Sequence, residues 1–360
     1  MGEGLFLLAL SFVVIIAGAE LFTNGVEWLG VRLRLSEGAV GSVLAAVGTA
    51  LPETTIPLVA LMMFREAESH EVGLGAILGA PFMLATLGFF MTAGSAWVYR
   101  RRRAAGPRLQ INRGVVGRDL GFFIPLYGIA ISAAFLPDPH WGRRAVALGL
   151  VVAYAYYVYL NLRESEESEK REPLILSQLW AVLPLLRPFP NRAAHEHRRQ
   201  CLETAPRLRA IVLQVAVALA LIMGGAYKFV DATREVCLAM GLSPLLFALI
   251  VAPIATELPE KLNSVIWVRQ SRDTLSLGNI AGAMVFQSTF PVSVGMLLTP
   301  WHFASLPTGD AALLSAAVAV ASAAVVLVAV KTGRAETISP VPFCTGMIGW
   351  LAFVGYVAMR

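Results

Sequence analysis

Long apolar stretches, separated by short polar segments, dominate the chain from one end to the other. Several of them exceed the roughly 18 residues that indicate a membrane-spanning helix. Because a helix satisfies its own backbone hydrogen bonds in lipid, the pattern predicts an all-α polytopic membrane protein. We expect ten transmembrane helices, at residues 5–30, 38–63, 72–98, 119–136, 144–161, 208–231, 243–268, 274–298, 310–330 and 340–358.

The composition fits the same class of protein. The chain of 360 residues is 57% hydrophobic and 15% charged, with a mean hydropathy of +0.67, whereas soluble domains contain about 25% charged residues. The first apolar stretch has neither a basic segment before it nor a small-residue cleavage site after it. We therefore interpret it as the first span and not as a signal peptide. The cysteines are too scattered for a metal site or a disulfide framework; they are Cys201, Cys237 and Cys344.

Lysine and arginine are unevenly distributed between the two sides that ten spans define. The loops 1–2, 3–4, 7–8 and 9–10 contain thirteen of these residues, whereas the remaining short loops and the two termini contain five. Positive charge near span ends stays in the cytoplasm. We therefore expect a protein of the cell inner (plasma) membrane with both termini outside and the polar loop 162–207 in the cytoplasm. The same asymmetry explains the net charge of +5 without nucleic acid as a partner, and no nucleic-acid recognition motif accompanies it.

The two halves of the chain contain the same sequence pattern. A shift of 207 positions aligns residues 18–53 with 225–260 without a gap, and ten of the 36 positions are identical. A shift of 203 positions aligns the helices that follow, 73–91 and 276–294. Small residues at these positions suit close helix–helix contact in lipid. The glycines that coincide are Gly75 with Gly278 and Gly79 with Gly282.

Each half contains five predicted spans, an odd number, so the second half enters the membrane in the opposite orientation. Inverted repeats of this kind are typical of secondary transporters, whose substrate site lies near the middle of the membrane. We therefore divide the chain into a first five-helix half, 1–161, a central cytoplasmic loop, 162–207, and a second, inverted five-helix half, 208–360.

A proline interrupts the equivalent span in each half. Pro52 and Pro259 have no N–H, and their rings clash with the carbonyl group four residues earlier, so each breaks its helix within the membrane. Backbone groups freed at that depth are tolerated where they line a cavity or contact a ligand. The pattern therefore predicts two broken helices at midmembrane.

The motif Thr-x-Leu-Pro-Glu places two oxygen-bearing side chains on one face of each broken helix. Thr49 and Glu53 are four residues apart, as are Thr256 and Glu260, and residues at this spacing share a helix face. If the two faces meet at the pseudo-twofold axis, their carboxylates, hydroxyls and free carbonyls form a single site. Oxygen ligands suit hard cations such as Ca²⁺ or Na⁺, and ionisable residues at membrane depth favour a functional site.

With these motifs the chain resembles the cation/Ca²⁺ exchanger superfamily, and within it the prokaryotic sodium/calcium exchanger-like membrane proteins. The resemblance rests on GTALPE (48–53) and ATELPE (255–260), and on the glycine-rich GLGAILGA and LGNIAGA of the following helices. It implies ten helices, alternating access in which two peripheral helices slide past a core bundle, and exchange of Ca²⁺ against Na⁺, H⁺ or K⁺. The positions that match the family's ion ligands are Thr49, Glu53, Thr256 and Glu260.

The chain departs from the family pattern at positions close to these ligands. The hydroxyl that usually follows the motif threonine is replaced by Ala50 in the first half and by Glu257 in the second. The following helices usually supply a serine together with an asparagine or aspartate. The residues at those positions here are Ala80, Leu84, Ala283 and Gln287.

Two side chains of the second half offset part of this loss of oxygen ligands. Gln287 supplies an amide oxygen. Glu257 is either an added ligand or the ion-pair partner of Lys261, which follows four residues later in the favourable order. The predicted cation site consists of Thr49, Glu53, Thr256, Glu257, Glu260 and Gln287.

The sequence therefore predicts a secondary active cation antiporter that exchanges Ca²⁺ or a similar cation against Na⁺ by alternating access. The alternatives are a proton-coupled cation exchanger of the same fold and a transport-inactive membrane scaffold. An enzyme is not expected, since the chain contains neither an H-E-x-x-H nor a G-x-S-x-G motif. No cofactor is expected, because Ca²⁺, Na⁺ or H⁺ are transported substrates, and the expected partners are membrane lipid and small inorganic cations.

Overall fold

The computed structural model describes residues 2–32, 51–136, 141–164, 207–303, 306, 308–333 and 337–359. Within these ranges nearly all of the chain is helical. The helices are α1 Gly2–Arg32, α2 Leu51–Met62, α3 Ala67–Met83, α4 Phe89–Val98, α5 Arg113–Ser132, α6 Trp141–Glu164, α7 Leu208–Met240, α8 Pro244–Thr256, α9 Leu258–Arg269, α10 Asp273–Leu298, α11 Gly309–Thr332 and α12 Val341–Ala358.

Eight continuous helical segments in the described ranges are long and apolar enough to cross a membrane. One of them, Ala67–Val98, comprises α3, a π-helical turn at Leu84–Gly88, and α4. The two predicted spans that carry the proline motif are instead represented by shorter helices: α8 and α9 form the seventh span, and α2 is the second part of the second span. The predicted class, a polytopic helical membrane protein with inverted repeats and a broken helix, is confirmed.

The break in the seventh span is narrow and has a clear local cause. Helix α8 ends at Thr256, Glu257 adopts φ −96° and ψ 7°, and Pro259 lies in the first turn of α9. Proline is tolerated there because the first residues of a helix have no intrahelical acceptor for their N–H groups. The backbone N–H of Glu257 still donates to the carbonyl of Pro253 at 3.2 Å. The helix is therefore interrupted at a single residue, Glu257.

The fourth span begins earlier than the hydropathy pattern predicts. Helix α5 starts at Arg113, six residues before the predicted boundary at 119. The side chain of Asn112 accepts hydrogen bonds from the backbone N–H groups of Gly114 and Val115 at 2.9 and 3.3 Å. Because this cap satisfies the free N–H groups of the first turn, the helix extends beyond the apolar segment.

Helices α1 and α7 pack against each other through contacts that repeat about a pseudo-twofold axis. A Cβ atom added at Gly18 of α1 would lie 2.8 Å from Cγ1 of Ile222, and one added at Gly225 of α7 would lie 2.7 Å from Cγ1 of Ile15. Gly18 and Gly225 are 207 positions apart, and so are Ile15 and Ile222. Each helix therefore inserts the equivalent isoleucine against the equivalent glycine of the other, which is the contact pattern of an internal twofold.

Helix α3 packs very closely on α8, the first part of the broken span. A Cβ atom at Gly75 would overlap the carbonyl oxygen of Leu245, and one at Gly79 would overlap the carbonyl oxygen of Leu249. Glycine is therefore required at both positions for two helix backbones to approach this closely. This contact fixes the broken helix of the second half against a continuous helix of the first.

Several contacts join loops that ten alternating spans would place on one side of the membrane. Arg103, after α4, forms a buried ion pair with Asp273 at the start of α10. Strand β1, Leu109–Gln110, pairs antiparallel with β2, Thr337–Ile338, which lies between α11 and α12. The loops 3–4, 7–8 and 9–10 thus meet at the same face of the protein.

A second group of loop contacts lies at the ends of other helices. The indole N–H of Trp301, after α10, donates to the carbonyl of Ala130 near the end of α5 at 3.0 Å. The hydroxyls of Ser243, before α8, and Thr308, before α11, lie 3.2 Å apart. The loops 4–5, 6–7 and 8–9 therefore meet as well, as alternating spans require. Which face is cytoplasmic remains a prediction, and the central loop lies outside the described residues at 165–206.

Candidate cation-binding site

Glu53 lies in the first turn of α2 and is 5% exposed. Both of its carboxylate oxygens are buried, in a helix that packs against α3, α7 and α10. The predicted acidic residue of the first half is therefore buried among helices of both halves and does not face lipid. Its motif partner Thr49 lies outside the described residues.

The second motif is described in part. Thr256, at the end of α8, is 5% exposed, and its hydroxyl donates to the carbonyl of Ala252 at 3.2 Å. A hydroxyl that donates to its own helix keeps oxygen lone pairs for a cation. The backbone of Glu260 belongs to α9, which packs against α10 and α4, but its side chain lies outside the described residues. The predicted convergence of Glu53 with Glu260 therefore remains a prediction.

Gln287 lies near the middle of α10 and is 2% exposed. Its side-chain oxygen is buried and accepts no hydrogen bond from the part of the chain that the structure describes. A buried amide oxygen without a hydrogen bond lowers the stability of the protein unless a further partner binds it. Helix α10 packs against both α2 and α9, the helices that contain Pro52 and Pro259. Gln287 is thus a predicted ligand whose buried oxygen no described group satisfies.

The equivalent position in the first half has a different local structure. Leu84, which is 203 positions before Gln287, begins the π-helical turn Leu84–Gly88 between α3 and α4. The hydroxyl of Thr86 in this turn donates to the carbonyl of Phe82 at 2.6 Å. π-turns occur frequently at functional sites, and this one packs against α10. The sequence does not predict this π-turn, because no residue pattern in the segment distinguishes it from an α-helix.

Glu257 is positioned as an ion-pair partner of Lys261. The ammonium nitrogen of Lys261 lies 3.5 Å from a carboxylate oxygen of Glu257, and the two side chains are 5% and 0% exposed. The same ammonium also donates to the carbonyl of Pro253 at 3.2 Å. Of the two interpretations of Glu257, the pairing with Lys261 is therefore the one observed, and a role as cation ligand remains a prediction.

The arrangement contains oxygen groups but few other metal-binding groups. In the described ranges no cluster of three or more His, Cys, Asp and Glu side chains could hold a metal ion. The groups available near the breaks are carboxylate, hydroxyl, amide and backbone carbonyl oxygens, which suit hard cations that exchange rapidly. Ca²⁺ takes six to eight oxygen ligands, so a Ca²⁺ ion at these residues would need further oxygens from water or the backbone.

The profile of the family described as "Sodium/calcium exchanger protein" matches residues 3–163 and 210–360 of this chain. Among curated proteins, the chain is similar to "Putative antiporter CaxA" of Alkalimonas amylolytica, with 23% identity over 351 residues that cover 96% of this chain and 95% of CaxA. It is also similar to "Inner membrane protein YrbG" of Escherichia coli K12, with 22% identity over 266 residues, 72% of this chain and 69% of YrbG.

Solved structures with the same fold include a crystal structure of the H⁺/Ca²⁺ exchanger CAX. It superposes with a TM-score of 0.67 at 17% identity, covering 99% of this chain and 86% of that one. A structure of the sodium-calcium exchanger NCX_Mj superposes with a TM-score of 0.56 at 15% identity, covering 98% and 97% of the two chains. At these identities the likeness establishes the fold and not the transported ions.

Proposed function

Since the chain belongs to the sodium/calcium exchanger protein family, we propose that it is a secondary active antiporter that exchanges Ca²⁺ or a similar cation against Na⁺ by alternating access. The cation binds between the two broken helices. Its ligands are Glu53 and Glu260, with Thr49, Thr256 and Gln287 as neutral oxygen donors. The protein resides in the plasma membrane.

The observation that carries this proposal is the position of Glu53. A glutamate that is 5% exposed, with both carboxylate oxygens buried at the start of a broken-span helix, has a large cost of desolvation as an anion. A buried carboxylate in this position is a suitable ligand for a transported cation, whose release on alternate sides of the membrane is compatible with the pseudo-twofold contacts of α1 and α7. The buried oxygen of Gln287 on α10, which contacts α2, supports the same location.

The proposed site carries two negative charges from the glutamates of the two motifs, in addition to the internally balanced pair of Glu257 and Lys261. One Ca²⁺, two Na⁺ or two protons neutralise two carboxylates. Electroneutral replacement of one set of ions by another is therefore possible with no further ionisable ligand.

A specific observation also favours a second candidate, proton-coupled exchange by the same fold. Ala80, Leu84 and Ala283 stand where oxygen ligands are usual in the family, and the first two are buried. A Na⁺ ion needs several oxygen ligands, whereas a proton needs only a carboxylate. The loss of these oxygens therefore weakens the case for Na⁺ more than the case for H⁺.

Uptake of ⁴⁵Ca²⁺ into proteoliposomes under imposed Na⁺ or pH gradients tests both candidates. We expect an outward Na⁺ gradient to drive uptake, and Glu53→Gln to abolish it because the substitution removes one of the two charges. Uptake that responds to pH and ignores Na⁺ would select the proton-coupled candidate. Absence of uptake under both gradients would exclude Ca²⁺ as the transported cation and would leave another cation or a transport-inactive scaffold.

The matched control is Glu66→Gln. Glu66 precedes α3 and is exposed, and its carboxylate accepts a hydrogen bond from the backbone N–H of Arg65 at 3.1 Å. The substitution makes the same chemical change as Glu53→Gln outside the proposed site. Equal flux in the two variants would contradict the assignment of Glu53.

A further inference from the structure

The ion pair of Glu257 and Lys261 differs from an ordinary helix-surface pair. Both side chains are almost completely buried, at 0% and 5% exposure, and the ammonium nitrogen lies between a carboxylate oxygen at 3.5 Å and the carbonyl oxygen of Pro253 at 3.2 Å. Exposed pairs at this spacing stabilise a helix by only a few tenths of a kcal/mol, and burial of both charges adds a desolvation cost that such a pair does not offset. Helix stability alone therefore does not explain the pair.

The equivalent positions of the first repeat lack this ion pair. At the shift of 207 positions, Glu257 aligns with Ala50 and Lys261 aligns with Thr54. The second half thus has an extra acid and an extra base, and the first half has neither. Because the two charges cancel, the segment around each motif keeps a net charge of −1, from Glu53 in one half and from Glu260 together with the neutral pair in the other.

The surroundings of the Lys261 ammonium are those of a bound monovalent cation. A carboxylate and a backbone carbonyl at a helix break are oxygen ligands that Na⁺ and K⁺ also accept, and such carbonyls bind ions in transporters with broken helices. An ammonium group is a compact charge with three donors that occupies a similar position. The lysine therefore stands where the added carboxylate of Glu257 would otherwise recruit an ion.

We propose that Lys261 is a tethered cation: its ammonium permanently fills a monovalent-cation subsite formed by the Glu257 carboxylate and the Pro253 carbonyl at the second helix break. The consequence for transport rests on the proposed function. With this subsite filled, exchange involves only the charge of Glu53 and Glu260. Removal of the ammonium opens a subsite for one additional monovalent cation.

The test is Lys261→Met compared with wild type and with Lys261→Arg, which keeps the positive charge. Thermal unfolding of the purified full-length protein in detergent is measured in NaCl and in choline chloride at constant ionic strength. We expect Na⁺ to raise the Tm of Lys261→Met by about 2–4 °C more than that of wild type, once Na⁺ exceeds its Kd about tenfold. Lys261→Arg should respond to Na⁺ as wild type does.

The double variant Glu257→Gln/Lys261→Met identifies the origin of the response. It removes the carboxylate as well, so the additional stabilisation by Na⁺ should disappear. A Lys261→Met chain that folds in Na⁺ but not in choline supports the proposal. The proposal is overturned if Lys261→Met fails to fold at every Na⁺ concentration, if it responds as wild type does, or if the double variant keeps the response.

This assay does not depend on transport by the wild-type protein. A gain of Na⁺ response in Lys261→Met, with no ⁴⁵Ca²⁺ flux in wild type, would retain the tethered cation and reject Ca²⁺ exchange. Coupled ⁴⁵Ca²⁺ flux in wild type, without an increased Na⁺ response of Tm in Lys261→Met, would reject the tethered cation alone.

Discussion

The glycine contacts between α1 and α7 predict that two distant substitutions have equal effects on stability. In Gly18→Ala the new methyl carbon would lie 2.8 Å from Cγ1 of Ile222, and in Gly225→Ala it would lie 2.7 Å from Cγ1 of Ile15. Both distances are shorter than carbon atoms normally reach, and both clashes also involve backbone atoms of the neighbouring helix. Overpacking of this kind costs about 1–3 kcal/mol. Because the two sites are related by the pseudo-twofold, we expect the same loss of stability, and hence the same fall in Tm, from each.

Gly224 provides a matched control for the prediction at Gly225. It is the preceding residue of the same helix, and a Cβ atom there would meet no other atom within 4 Å. Gly224→Ala should leave Tm unchanged or raise it slightly, since alanine is a better helix former by about 1 kcal/mol. In thermal unfolding, Ile15→Ala should partly relieve Gly225→Ala, with a coupling energy of about 0.5–3 kcal/mol, and should be additive with Gly224→Ala. The proposed helix contact would be refuted if Gly224→Ala and Gly225→Ala changed Tm equally, or if Gly225→Ala showed no coupling to Ile15→Ala.

Three further predictions concern close packing, buried charge and ligand supply. Gly79→Ala should prevent folding or strongly lower Tm, because its methyl group would overlap a backbone oxygen of α8; Gly94→Ala, which has open space, should have no effect in the same unfolding assay, and similar Tm values would contradict the contact. Arg103→Met should lower the free energy of unfolding by about 3–5 kcal/mol because it leaves Asp273 buried without its ion-pair partner. The double variant with Asp273→Leu should recover much of that loss. If it recovers none of the loss, the ion pair is not the cause. Gln287→Leu should raise the cation concentration that gives half-maximal ⁴⁵Ca²⁺ uptake while leaving Tm unchanged, whereas unchanged uptake would remove Gln287 from the site.

Much of the fold could be predicted because membrane helices are determined by local properties of the sequence. Span length and hydropathy are visible in any window of about 20 residues, and the shift of 207 positions made the inverted repeat detectable without a structure. The packing of α1 on α7 was not predicted. It depends on which faces of two distant helices meet, and the small residues of both helices are compatible with several partners.

The candidate site was predictable where its chemistry is local. The burial of Glu53 and the break at Glu257 follow from a charged residue and a proline in an apolar span. The choice between ligand and ion-pair partner for Glu257 could not be made from spacing, because it depends on the reach of Lys261 to a carbonyl on the other side of the break. The pair of Arg103 with Asp273 was missed for a different reason. Its members are 170 positions apart. One of them belongs to a run of four arginines, and the sequence does not show which of the four is buried and paired.

The two halves share a helix arrangement but differ in their polar side chains, and this difference affects the ion affinity of the proposed site. The second half carries Gln287 where the first has Leu84, and Glu257 where the first has Ala50. In an alternating-access protein with twofold-related halves, equal ligands would give the two open states similar affinities for the same ion. Each half supplies one charged ligand, Glu53 or Glu260, but the second half supplies two of the three neutral donors, Thr256 and Gln287. We therefore expect the ion to remain associated with the second half during the transition. The two open states then differ in affinity even though the helices that form them are related by symmetry, so that the direction of easier release is determined by side chains and not by the fold.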